Sequence, residues 1–555
     1  MQDCSTGRIL FYSANAAAVI NRAIGSLTSG GKIFIEAGTY TFTTTPIDLG
    51  NGNFAAIGTT SVSGIELYGE GSGTILNAGT NMNGAVIGVL NANNWYIHDL
   101  QVNGNRASQS GSGGSPPYLN GIWIINSPNT VIEHCYVHDT KTVGIYLIGG
   151  SSDALLNNDV VNNNANGIQV GAGFDQLIQG NIVNGASDVG ISISGSGGTV
   201  SNVLCTGNIV SGISLGVSPF GVNSAVGIYV GDTGPATNVT VSSNQLYGGG
   251  SGIYSGTPSG SNVDVTIFGN EIHSTKTYGI SVDTTTSASV EDNLLDNTQY
   301  MGIRIYAVDT DVVVSGNRIQ SPSNSYGIYM LASNGLINGN QMDGGTIYSS
   351  GAYTNISDNT VVTTASGGIF LDTGSDDSSV VGNTLYVNPS SNKYGIYVDS
   401  KDLTITNNRV SGATWGAGIV VDSGASGAFV VGNNVRNDTY SISGAGYSQS
   451  PIKATGVIVE DNAGYNPIGI VANFVTGNSI SPTGTSSTPA KSTTYTVAQT
   501  PCLITFITVG SGVSFSINGG SGFAVTTGES FQLYPGETVN FGAFSTAPTI
   551  QLTFS

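Results

Sequence analysis

The sequence predicts an all-β solenoid, a stack of short strand-and-turn coils. Three observations predict it: a tetrad that returns, an asparagine that returns with it, and a composition of short β-branched runs set between Gly, Asn and Ser. The tetrad is Gly-Ile-x-aliphatic. It reads "GIWI" at 121, "GIYL" at 144, "GIQV" at 167, "GISI" at 190, "GIYV" at 227, and continues to "GIYV" at 395 and "GIVV" at 418. Counting one imperfect copy at Thr346, the steps run from 19 to 37 residues and average about 25, a period that marks a repeat architecture.

The second landmark lies about 14 residues further on in most copies: "GNIV" at 180 and 207, "GNEI" at 269, "GNRI" at 316, "GNTL" at 382. Each unit therefore holds two or three short alternating strands separated by turn residues, with no helical period inside it. A unit this small cannot bury its apolar side chains alone, but stacked on its neighbours it closes a continuous core. Ile then points inward, x outward and the next aliphatic inward again, while Gly permits the corner. The recurrent asparagines (Asn158, Asn181, Asn208, Asn270, Asn317) fall in register as an internal amide ladder bonding to turns.

Upstream, "AAAVINRAIGSLTSGGKIFIEAGTYTF" (16–42) carries an amphipathic helix whose face is Ala16, Val19, Ile20, Ala23 and Ile24, with Gly30 and Gly31 to stop it. Together with the repeats from 121 to about 435, this stretch resembles the right-handed parallel β-helix proteins of the pectate-lyase-like superfamily, which includes phage tailspike depolymerases. The resemblance implies a right-handed parallel β-helix over residues 1–475, with an N-terminal helix cap (about 1–45). The family includes lyases, hydrolases, epimerases and inert fibres, so fold follows from the resemblance and activity does not. After 475 the repeat fades into a Ser/Thr/Pro/Gly-rich linker (476–492). Residues 493–555 alternate as six short strands, expected to form a small β-sandwich that binds glycan, drives oligomerisation or caps the stack.

Composition narrows the partners. Only 9% of residues are charged, and the formal net charge is −20 with 14 Lys and Arg. Nucleic acid is excluded as a natural partner, since phosphate binding needs clustered cations. No apolar run reaches the ~20 residues of a membrane helix, so membrane insertion is not expected. Of four cysteines, Cys135 and Cys205 lie three coils apart, roughly 14 Å at the ~4.8 Å strand spacing, too far for a disulfide. The expected setting is secreted or on a cell or virion surface. A monomer and a homo-oligomer such as a trimer both stay open.

Three constellations could carry chemistry. The outward position of the tetrad strand reads Trp123, Tyr146, Gln169, Ser192, Tyr229, Tyr254, Ser281, Arg304, Tyr329, Tyr348, Phe370, Tyr397 and Val420. This aromatic row suits sugar rings, a half-exposed structural strand, or a protein interface; Trp123, Tyr146, Tyr229 and Tyr254 are the candidate substrate platforms. Two overlong insertions, 103–120 and 211–226, leave one corner of the coil and are expected to rise as walls around Arg106, His138, Asp139, Lys141 and Asp188. For a lyase, Lys141, His138 or Arg106 would remove a proton beside a uronate carboxyl; for a hydrolase, Asp139 and Asp188 would be the acid and base or nucleophile. The alternative is a solvated polar corner. Last, Asp372, Asp399 and Asp422 end consecutive tetrad strands, with Asp283 further up. Their mutual repulsion calls for a bound cation such as Ca²⁺, raised pKa values, or Asx-turn hydrogen bonds. No cofactor is required by any of these readings. The functional expectation is a polysaccharide as partner, cleaved along the aromatic face, hydrolysis slightly ahead of elimination; a non-enzymatic fibre or adhesin is the alternative.

Overall fold

The computed structural model describes residues 10–195, 197–214, 225–258, 260–306, 310–320, 326–363, 367–387, 394–412 and 417–435, with 2, 5, 8, 457–460, 462 and the strand segments from 440 onward named below. The chain falls into two compact units, Met1–Pro322 and Ser323–Ser555.

In the first unit the tetrads become one column of parallel strands in register. Ile122 stands beside Ile145, which stands beside Ile168, and so through Ile191, Ile228, Ile253, Ile280 and Ile303. All of these isoleucines are fully buried. Two further columns complete each coil. One contains Val131–Glu133, Ala154–Leu156, Val200–Thr206 and Ala236–Ser242; the other contains Tyr136–His138, Asp159–Val161, Ile182–Asn184 and Ile209–Ser211. This is a parallel β-helix, because the backbone bonds of the strands in these columns go to the coils above and below.

The asparagine ladder lies inside the corner after the second column. Asn181 Oδ1 accepts from both the backbone N–H and the amide of Asn158, at 3.0 Å each, and Asn158 Nδ2 also donates to Ile132 O at 2.9 Å. The same one-way pattern, each asparagine donating to the Oδ1 of the next, passes through Asn208, Asn244, Asn270 and Asn293 to Asn317. An apolar side chain there would orphan a buried N–H and a buried C=O on every rung.

At the start, helix α1 (Ala16–Ser26) is N-capped by Asn15, whose Oδ1 accepts from Ala18 N. It buries Ala17, Ile20 and Ile24, and Asn21 bonds Ala56 O and Gly58 N. The helix ends at Ser26, before the two glycines. Gly30 serves instead as a left-handed corner (φ +84°), where a Cβ would stand 2.7 Å from Gly64 O. The strands Ile47–Gly50 and Asn53–Thr59 form an antiparallel hairpin, and Asn53–Thr59 leads the tetrad column by pairing with Ala85–Leu90.

The second unit repeats the three-column plan. Tetrad strands run from Tyr326–Met330 through Thr346–Ser349, Ile369–Leu371, Tyr394–Val398 and Ala417–Val421 to Tyr440–Ser443. Its own ladder links Asn340, Asn359, Asn383, Asn408, Asn433 and Asn462. Parallel pairing continues past 475, since Ile458–Glu460 pairs with Phe474–Thr476, and Ala463–Tyr465 with Ser479–Ile480. The rest of the linker lies outside the described residues. The final strands form two antiparallel sheets. One holds Thr494–Thr496, Thr538–Phe541, Ser514–Ile517 and Phe523–Ala524; the other holds Ser530–Leu533, Cys502–Thr508 and Thr549–Phe554.

Cys135 and Cys205 are free and buried, and burial pushes both thiols up to about 12. A thiol so poorly ionised is inert. No helix among the described residues is long and apolar enough to cross a membrane.

Candidate functional site

The outward row is in register within each unit, but its rings do not lie open as a platform. Trp123 is only 5% exposed. The hairpin residues Leu49 and Ala55, together with Tyr118 from the first insertion, pack over it. The structure thus corrects the expectation for Trp123: its indole belongs to a local core. Tyr146 stacks on it at 5.8 Å and 9°. In the second unit Tyr329, Tyr348, Phe370 and Tyr397 stack face to face at 4.6–5.5 Å, so their faces are spent on each other and their edges turn outward. Strand spacing forces this, because parallel neighbours sit one ring-stacking distance apart. Tyr229 and Tyr254 differ. They meet edge to face, 4.9 Å apart at 73°, which leaves one ring face uncovered by its partner.

Beside that pair lie two carboxylates. Asp188 is buried at 6% exposure, just before tetrad strand Val189–Ser194; Asp232 follows the next one, Val226–Val230. Ser192 Oγ, from the outward row, donates to Asp232 Oδ2 at 2.8 Å. The Asn166 amide, which donates to Gln169 Oε1 at 3.2 Å, also favours the charged form of Asp232. Burial is the largest influence on Asp232; with the negative charge of Asp188 it outweighs both donors and pushes the carboxyl up to about 6. Tyr229 is pushed up to about 12, by burial first and then by Asp232, Asp283 and Asp188. Tyr254 donates to Asp283 Oδ2 at 3.0 Å, and Arg304, lying over Tyr278 and Tyr306, stands 3.8 Å from the same carboxylate. A raised carboxyl near a second acid, walled by rings, is the arrangement that acid–base chemistry on a sugar linkage needs.

The expected corner cluster divides. His138 Nδ1 bonds Asp139 Oδ2 at 2.8 Å, Asn162 donates to Asp139 Oδ1, and Arg106 donates to Asn162 Oδ1 at 2.9 Å. His138 Nε2 is 2.7 Å from Gln101 Nε2. With Nδ1–H given to Asp139, Nε2 accepts from that amide, and its lone pair is no longer open to a substrate proton. Lys141 Nζ donates one of its three N–H groups to Gln109 O at 3.0 Å. The string Tyr-x-His-Asp occurs twice, and His98 makes the same 2.8 Å contact with Asp99. Asp99 and Asp139 share a left-handed backbone (φ 52°), so the pairing follows from the local turn. Asp188 stands apart from this network, its charge acting on Asp232 and Tyr229.

The first insertion does not rise as a wall. It lies back on earlier coils, where Gln109 bonds Gly79 O and Asn83 N, Gly111 bonds Asn83 Oδ1, and Tyr118 N bonds Asn53 Oδ1. Residues 215–224 of the second insertion lie outside the described residues.

The strand-end aspartates carry turn and phenol partners. Asp372 and Asp422 accept the next residue's N–H, at 2.8 and 2.6 Å, and Asp399 accepts Gly424 N at 2.8 Å. Tyr348 donates to Asp372 Oδ2 at 2.7 Å, and Tyr397 donates to Asp422 Oδ2. The rule is that an outward tyrosine bonds the aspartate ending the next coil's strand. Asp399 follows Phe370, which has no hydroxyl, and its carboxyl is raised by burial and by Asp422 and Asp372. Among the described residues no group of three or more His, Cys, Asp or Glu is drawn together tightly enough to hold a metal.

Sequence reasoning missed Asp232. It sits one residue later than the other strand-end acids, after Gly231, and that offset hid it.

The profile of the family described as right handed beta helix region matches residues 50–210 and 323–488, more than half of the chain. The chain is a right-handed β-helix family member. A profile described as periplasmic copper-binding protein (NosD) matches residues 219–344 of this β-helix protein. No curated protein matches it. Solved structures similar to this β-helix include the A-module of mannuronan C-5 epimerase AlgE6 from Azotobacter vinelandii, at 16% identity and TM-score 0.42, covering 73% of this chain and 97% of that one. Another is the tailspike protein of E. coli bacteriophage HK620 in complex with a hexasaccharide, at 14% identity and TM-score 0.42, covering 100% and 91%. A third is an alginate lyase from Paenibacillus sp., at 15% identity and TM-score 0.35, covering 56% and 95%.

Proposed function

We propose that this β-helix protein hydrolyses a polysaccharide laid along the outward tetrad face of its first unit, outside the cytoplasm. Asp232 is the general acid, Asp188 the second carboxylate, and Tyr229 and Tyr254 hold sugar rings. The observation that carries the reading is Asp232 itself: a carboxyl raised to about 6, bonded by Ser192, next to Asp188 and Tyr229. Protonated, Asp232 gives its proton to the departing glycosidic oxygen. Asp188, as carboxylate, activates water or attacks the anomeric carbon, and the carboxyl separation decides between inversion and retention. The periplasmic description of the NosD profile supports the location.

The test is incubation with a panel of neutral and acidic glycans, following reducing ends and the absorbance of unsaturated uronates. Reducing ends without unsaturated product, lost in Asp232→Asn and Asp188→Asn, support hydrolysis. Unsaturated product makes the protein a lyase. Cleavage that survives both substitutions removes this site. A second reading, a non-catalytic fibre, is favoured by the face-stacked rings and Tyr–Asp bonds of the second unit, which stiffen that face. The absence of cleavage across the whole panel would support it.

A further inference from the structure

The inward row of the second strand column is apolar at Val203, Val239 and Val265, but polar at Thr130, Asp153 and Gln176. Asp153 is 2% exposed and Gln176 3% exposed, and they occupy successive rungs. Asp153 Oδ1 accepts from Thr130 N at 2.8 Å, whereas Asp153 Oδ2 has no partner. Gln176 Nε2 reaches Gly150 O at 3.5 Å, whereas Gln176 Oε1 has no partner. Two buried acceptor oxygens left unpaired on neighbouring rungs are costly, and one hydrogen between them satisfies both.

We propose that Asp153 carries a proton on Oδ2 and donates it to Gln176 Oε1, forming a clamp between two successive coils that closes in acid and opens as the pH passes neutrality. Gly150 makes room for it, since a Cβ there would lie 2.0 Å from Asp153 Oδ2. The titratable groups on the flanking strands are Glu133, which bonds the Tyr96 hydroxyl, and Asp175, which bonds Asn202. Neither acts on Asp153. Burial alone pushes its carboxyl up, to about 7, against the Thr130 N–H. That is about a thousandfold tighter proton binding than free aspartate shows.

The experiment uses the full chain between pH 4 and 8. In difference infrared spectra a protonated-carboxyl band, absent from Asp153→Asn, should persist to about pH 7. The melting temperature of the wild type relative to Asp153→Asn should fall across pH 4 to 7 and level above it. Gln176→Val, which completes the apolar row, should keep the fold and move the band to the position of an unbonded carboxyl. Loss of the band with the ordinary carboxylates near pH 4, parallel melting curves, or a band unmoved in Gln176→Val overturns the clamp. Glycan cleavage enters none of these readouts, so the clamp and the proposed activity fail separately.

Discussion

Single residues decide whether this surface can do chemistry. Asp232 must be protonated to act as acid, so cleavage should fall on an alkaline limb near pH 6. Asp232→Asn should lower kcat by about 10²–10⁴-fold with little change in melting temperature at pH 5. Steady-state kinetics against pH on the glycan first found to be cleaved checks both. The His138 pair illustrates the opposite case. Its residue types look catalytic, yet Gln101 occupies the open nitrogen, and His138→Gln should leave turnover within about twofold of wild type. The Tyr-to-Asp rule gives a third test at this scale. Phe370→Tyr should supply Asp399 with the phenol that Asp372 and Asp422 already have, lower its pKa, and stabilise the protein by about 1 kcal/mol, measured by unfolding at pH 7. No change in either quantity would mean that the rule is coincidence.

At the scale of the element, the coil is legible because its two landmarks do separate physical jobs. Ile of the tetrad drives the apolar core. Asn after the second strand satisfies the corner that apolar residues cannot. Asn270→Ala should therefore cost more than its size suggests. It orphans the backbone and amide N–H groups of Asn244 and the carbonyl of Val241, at roughly 1–3 kcal/mol each. Thermal unfolding of Asn270→Ala beside Gln245→Ala, an outward control on the neighbouring strand, checks this; equal losses would deny the ladder its role. Register was readable from spacing alone, since a rung is simply the residue one period later. The insertions were not, because their course depends on side-chain bonds such as Gln109 to Gly79 that no period encodes.

For the molecule as a whole, charge and burial set the working range. Asp153 and Asp232 have folded pKa values above their unfolded ones, so their contribution to stability is complete below about pH 4 and is lost as pH rises to about 7 and 6 respectively. Asp376 runs the other way. Its carboxyl is held down by Ser400 and by the Lys401 N–H, and its contribution is lost as pH falls. Maximum stability should then lie on the acid side of neutrality, and scanning calorimetry between pH 3 and 9 would show it. The net charge of −20 predicts that added salt raises the on-rate for an acidic glycan and leaves a neutral one unchanged.

What the sequence determined by itself was everything periodic: the parallel coils, the inward isoleucines, the asparagine ladder and the outward row. One period places each residue beside its successor, and stacking turns that spacing into contact. Only the tertiary structure decided which outward groups remain usable. It buried Trp123 under a hairpin some 70 residues upstream in the chain. It closed the rings of the second unit on one another, and it brought Asp232 to Asp188. Those outcomes rest on burial and on neighbours distant along the chain, and neither is a property of a residue's place in its repeat.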